Sequence, residues 1–187
     1  MTRAKRYRYY YSISMLFFIL LLYTSYASDK YNSDKVLACI DFEPTIIVCG
    51  RSLVSETRIR KAVSAWEKLG YSFADVLYKD DDDKCIDSEE YGVIVITKPN
   101  EDFDHKYLAT TKRFSIKLDE QDYIIHSKIY ISSKETKKER VLEHEIGHAI
   151  GWDHFNTKYH LMHENWNEGG HTISGINKDY YDKKCSK

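Results

Sequence analysis

The sequence predicts an α+β domain of α/β-like character, and three observations carry that prediction. Short runs rich in β-branched residues, Thr45–Cys49 and residues 92–97 above all, have the length and composition of buried strands. Between them Ile59, Ala62, Val63, Trp66 and Leu69 recur at helical spacing, an apolar stripe suited to lie on a sheet. Later in the chain a second helical stretch runs into residues 144–154, which hold three histidines and a glutamate. A run of strands with one helix inside it and a second helix after it is the order of a sheet covered by helices.

The first residues have a different character. Arg3, Lys5, Arg6 and Arg8 precede an apolar run over residues 13–22, and Ser25-Tyr26-Ala27 supplies small residues at cleavage spacing. This pattern predicts a secretory signal peptide over residues 1–27, cut after Ala27, and an extracytoplasmic domain over residues 28–187. A membrane anchor is the competing reading, but the apolar run is about half of the roughly 20 residues a spanning helix needs. Membrane association is therefore expected only if this segment stays uncleaved. At 187 residues, 42% hydrophobic and 14% aromatic, the chain can bury one core. A formal net charge of -1 leaves neither sign dominant, so neither nucleic acid nor an anionic membrane surface is expected as a partner. A monomer is expected. Cys39, Cys49, Cys85 and Cys185 all fall in the exported part, which implies up to two disulfides with three pairings open.

In order from residue 28, a polar lead-in reaches the first strand after Pro44, and Gly50 closes it. The helix starts at Ser55 and ends at Gly70. Residues 73–78 read as a second strand and residues 92–97 as a buried third. Between these two, Asp80, Asp81, Asp82 and Asp83, with Asp87, Glu89 and Glu90, make a solvated loop. Calcium is a secondary expectation there, because clustered carboxylates suit a hard cation, although no central Gly interrupts alternating ligands. Residues 107–112 and 128–132 complete the strands, joined by a charged, exposed segment over residues 117–122. Thr136-Lys137-Lys138-Glu139 has the form of a capping box and predicts the start of the second helix. Ser174 is an N-cap candidate for a last helix over residues 175–182. His105, His126, His160 and His163 share no ligand spacing and are expected at the surface, and His171 is given no role.

The chemistry lies in residues 144–154. On a helix His144 and His148 stand one turn apart on the same face, with Glu145 beside them. Gly151 can take the left-handed conformation that ends a helix and brings His154 back under the first two histidines. Three neutral imidazoles leave a fourth position open, which suits a catalytic zinc.

This spacing matches H-E-x-x-H-x-x-G-x-x-H, and Leu161-Met162 follows where a methionine turn would fall. The chain thus resembles the metzincin zinc peptidases. Gly151-Trp152-Asp153-His154 with Leu161-Met162 is most similar to matrix metalloproteinase-like catalytic domains, with Phe155 where those carry Ser. The resemblance implies a twisted, mostly parallel five-stranded sheet with one antiparallel edge strand bordering the cleft, and a short C-terminal helix. It also implies one Zn2+ on His144, His148 and His154, Glu145 as general base, and Met162 packed beneath the metal. Residues 107–111 look like the edge strand, so Leu108, Ala109 and Thr110 are expected to bind an extended peptide or protein substrate. The expected activity is that of a secreted zinc endopeptidase. The alternative is a catalytically inactive zinc-binding protein, secreted or membrane-anchored, on the same fold.

Overall fold

Two apolar strands lie side by side inside a five-stranded sheet, in a computed structural model that describes Met15 and residues 34–80, 85, 89–99 and 107–186. β1 (Thr45–Cys49) pairs in parallel with β2 (Asp75–Lys79) on one side and with β3 (Val93–Thr97) on the other. β3 pairs in parallel with β5 (Gln121–Ile131), and β5 pairs antiparallel with β4 (Ala109–Leu118). The order β2-β1-β3-β5-β4 leaves β4 at the edge. Among the described residues three helices accompany the sheet, α1 (Glu56–Glu67), α2 (Val141–Ala149) and α3 (Lys178–Cys185). The result is a mixed α+β fold on a mostly parallel sheet, in agreement with the sequence reading.

Successive side chains of a strand point to opposite faces, so β1 and β3 feed two clusters. Ile46, Val48, Ile94 and Ile96 join α1 and α2 in the main core, while Ile47, Cys49, Val93 and Val95 gather with Cys85 on the reverse face. β3 is buried throughout, as its unbroken apolar run predicts. In α1 the stripe Ile59, Ala62, Val63 and Trp66 is buried, and each large apolar side chain contributes about 1.5–3 kcal/mol by leaving water. Ser55 caps this helix by accepting from the Arg58 amide, and Gly70 at φ 90 turns the chain after it. The Trp66 indole donates to the Glu143 carbonyl at 2.8 Å, and Arg58 pairs with the Glu143 carboxylate at 2.5 and 2.9 Å. These contacts fix α2 against α1.

Several boundaries differ from the sequence reading. The segment expected as an exposed link over residues 117–122 is the tip of a long hairpin, in which β4 runs to Leu118 and β5 starts at Gln121. Asp119 takes the tight turn at φ 54. The capping box over residues 136–139 does not form, because Thr136 Oγ1 donates to Ser133 O and the segment stays in turns. α2 begins at Val141, after Arg140 at φ 70. The last helix begins later than expected: Gly175 takes φ 91, and Asn177, not Ser174, caps α3 by accepting from the Asp179 amide.

Two disulfides select one of the three pairings, Cys39–Cys185 and Cys49–Cys85. Their presence places the folded chain in an oxidising environment. The first ties the lead-in segment to α3, and the second lies on the reverse face of the sheet. Compact units divide at residue 34, and every element above lies in residues 35–187. The expected signal peptide lies outside the described residues apart from Met15, as do Asp81 to Asp83 and His105. No described helix is long and apolar enough to cross a membrane.

Candidate metal centre

α2 points His144 and His148 into a cleft of about 1020 Å³, and the chain after it returns a third imidazole to the same point. The return begins at Gly151, whose φ of 107 is open to glycine and closed to most residues. Its amide donates to His148 O, the Trp152 amide donates to Gly147 O, and two residues later His154 faces the helix. The three Nε2 atoms then lie 3.0, 3.0 and 3.3 Å apart.

The other ring nitrogens fix the tautomers of two members of this triangle. His144 Nδ1 donates to Leu161 O at 2.9 Å and His148 Nδ1 donates to Trp152 O at 2.8 Å. In both rings Nε2 is left with only a lone pair, so lone pairs converge on one point, an arrangement that a shared cation stabilises. Three nitrogens held about 2.05 Å from a tetrahedral ion lie roughly 3.3 Å from one another, so the triangle fits a metal of that kind. Burial acts the same way on all three. It presses the His144 pKa down to about 4 against the opposing bond to Leu161 O, drives His148 well below its usual value with help from His144, and lowers His154. The imidazoles are therefore unprotonated at neutral pH, the form that binds metal. Among the described residues this is the one group of side chains that converges in this way.

Glu145 is buried beside the triad, and burial pushes its carboxyl up to about 7, opposed by a hydrogen bond from Thr111. Leu108, Ala109 and Thr110, at the start of β4 and just before it, line the cleft, and Tyr107 and Arg113 line it with them. Met162 is fully buried, with its sulfur directly against Gly147 on α2. The turn before it acts on the site through its backbone, since Leu161 O holds His144.

Sequence reasoning missed four contributors. The Leu161 and Trp152 carbonyls fix two rings, Arg113 Nη1 donates to His148 O at 3.1 Å at the end of α2, and Thr111 Oγ1 reaches Glu145. Backbone carbonyls carry no residue-type signal, and only the strand register selects Thr111 and Arg113. Two histidines expected at the surface are buried instead. His160 is enclosed, accepting from the Met162 amide on Nδ1, donating to Ser174 O from Nε2 and stacking on Phe155. It braces the turn that holds His144. His126 is buried on β5 and stacks on Phe114 at 4.2 Å. His171 is exposed, and neither it nor His163 joins the triad.

Compared with protein-family models and with curated proteins, the chain matches none.

Proposed function

We propose that this chain is a zinc-dependent endopeptidase of the metzincin type, exported and acting on peptide or protein substrates. The observation that carries the reading is the convergence of three Nε2 atoms, two of them turned into acceptors by backbone carbonyls on the opposite ring nitrogen, next to a buried carboxylate in a cleft bordered by a sheet edge. A structural zinc site would ordinarily use a fourth protein ligand, and no described Cys, Asp or Glu completes the triad. The donor set, three neutral imidazoles, suits zinc, copper, iron or nickel, and the three-ligand tetrahedral spacing favours zinc.

His144, His148 and His154 would hold the ion, which when bound supplies Lewis acidity to a peptide carbonyl and lowers the pKa of water toward roughly 7. The remaining work belongs to the chain. Glu145, held near neutrality by burial, takes a proton from the attacking water and hands it to the departing amine. β4 offers an edge along Ala109 to Thr111 against which an extended substrate can pair its backbone, a form of strand addition. The sheet with its single antiparallel edge strand at the cleft, Met162 packed on the ligand helix, and the short last helix are further support.

The test is digestion of an unbiased peptide library by the disulfide-bonded protein, with and without a zinc chelator, beside Glu145→Ala. The wild type should cleave, chelation should abolish cleavage, and Glu145→Ala should keep its zinc while losing roughly 10² to 10⁴ in turnover. Cleavage that survives both the chelator and Glu145→Ala would overturn the proposal.

A further inference from the structure

We propose that Thr111 is a positioning residue for Glu145: its hydroxyl pins one carboxylate oxygen so that the other stays open to take the proton from water. Its catalytic consequence rests on the peptidase reading, whereas the contact itself does not. Thr111 Oγ1 lies 2.6 Å from Glu145 Oε2 and 3.1 Å from the Glu145 carbonyl oxygen. A threonine hydroxyl has one hydrogen, and the shorter distance is that of a charge-assisted O–H···O⁻ bond, so the proton goes to Oε2. No other described residue donates to this carboxylate. Oε1 is thus the free acceptor.

The placement follows from the sheet. β4 pairs antiparallel with β5, with Ala109 opposite Ile131, Thr111 opposite Ile129 and Arg113 opposite Ser127. Ile131 and Ile129 lie in the core under α2, and Ser127 Oγ donates to Ala149 O at the end of the same helix. Alternation therefore turns Ala109, Thr111 and Arg113 toward α2, while Lys112 lies over the Tyr130 ring on the other face. Thr111 is β-branched, and its stiff χ1 suits it to hold a longer, freer side chain in one orientation. Glutamate has three rotatable bonds, and a proton acceptor displaced by about an ångström can lose on the order of 10²-fold in rate.

The experiment compares Thr111→Val, which keeps the shape and removes the hydroxyl, with Thr111→Ser, which keeps the hydroxyl. Three readouts are taken: kcat and KM on a peptide cleaved by the wild type, zinc content by elemental analysis, and the Glu145 carboxylate stretch in infrared spectra of ¹³C-glutamate-labelled protein. That band is identified by its loss in Glu145→Ala. Thr111→Val should bind the wild-type amount of zinc, keep KM within about twofold and lose roughly 10- to 100-fold in kcat, the scale of one hydrogen bond to a charged group. Its carboxylate band should shift. Thr111→Ser should recover most of the turnover and the wild-type band. An unshifted band in Thr111→Val, a kcat within about twofold of wild type, or equal impairment of the Val and Ser variants would each overturn the proposal. A wild type that cleaves no peptide would refute the peptidase reading instead, and the infrared arm would still decide whether Thr111 holds Glu145.

Discussion

Replacing Gly151 with alanine should detach the turn that carries His154, and the size of the effect can be worked from the contacts around it. An added Cβ would stand 1.9 Å from Ala38 O and 3.0 Å from Ala38 C, which is backbone and cannot rotate away. The chain must separate there by more than an ångström. Two backbone hydrogen bonds span this junction, Leu37 N to Gly151 O and Asp153 N to Lys35 O, both 2.8 Å, on either side of the Val36–Trp152 bridge. Losing them costs about 0.5–1.5 kcal/mol each, and an L-residue forced into the left-handed region adds roughly 1–2 kcal/mol. The sum is about 2–5 kcal/mol, or roughly 4–20 °C in Tm for a domain of this size. Because Asp153 and His154 follow the displaced bond directly, zinc affinity should fall with stability. Thermal unfolding of the metal-free protein measures the first, and competition with a chromophoric chelator measures the second. A Gly151→Ala protein with wild-type Tm and zinc affinity would refute the account of this turn as backbone-limited.

Gly147→Ala should destabilise, although alanine favours a helix by about 1 kcal/mol over glycine, because its Cβ would meet Met162 Sδ at 2.4 Å and the Trp66 ring at 2.6 Å. Urea unfolding should show a loss that shrinks when Met162→Ala opens space, and an unchanged midpoint would count against the packing. Non-reducing peptide mapping should recover Cys39 linked to Cys185 and Cys49 to Cys85 with no free thiol, and any Cys39–Cys49 peptide would contradict the pairing. Chain-entropy reasoning assigns about 5 kcal/mol to the link that closes 146 residues and about 4 kcal/mol to the one that closes 36, so Cys39→Ala/Cys185→Ala should be the costlier pair. Acid should destabilise the metal-free protein. His126, His144, His148, His154 and His160 all have pKa values below 6.5 when folded, so the unfolded chain binds more protons as pH falls from 6.5 toward 4, and their stability contribution is lost over that window. Glu145, raised from 4.5 to about 7, works in the opposite direction between those values, one group against five. The urea midpoint should therefore be lower at pH 5 than at pH 7, and a higher midpoint at pH 5 would contradict this balance.

Much of the site is legible one residue at a time, because a helix repeats every 3.6 residues and the imidazole spacing is local. His144, His148 and His154 converge as the sequence predicts, Gly151 turns where it should, and the stripe from Ile59 to Trp66 is the buried face of α1. The strands β1 and β3 are equally plain, since a strand buried on both faces is apolar throughout. The hairpin was not, because in β4 Lys112, Phe114, Ser115, Ile116, Lys117 and Leu118 are all exposed, and an edge strand with little burial has the composition of a loop. The start of α2 was misplaced for a related reason: the capping residues are present at 136–139, but turns compete for the same side chains.

What the sequence by itself determined is the three imidazoles, the carboxylate beside them, and the order of elements that presents them, since each depends on residue type and short-range spacing. Tertiary structure alone decided which cysteines meet, that His160 is enclosed, and that Thr111 rather than its neighbour Thr110 reaches Glu145. Two adjacent threonines look the same in a sequence, but the pairing of β4 with β5 turns one toward α2 and the other away, and a slip of one residue would exchange them. That choice is made by contacts between segments far apart in the chain, whose energies no local pattern records.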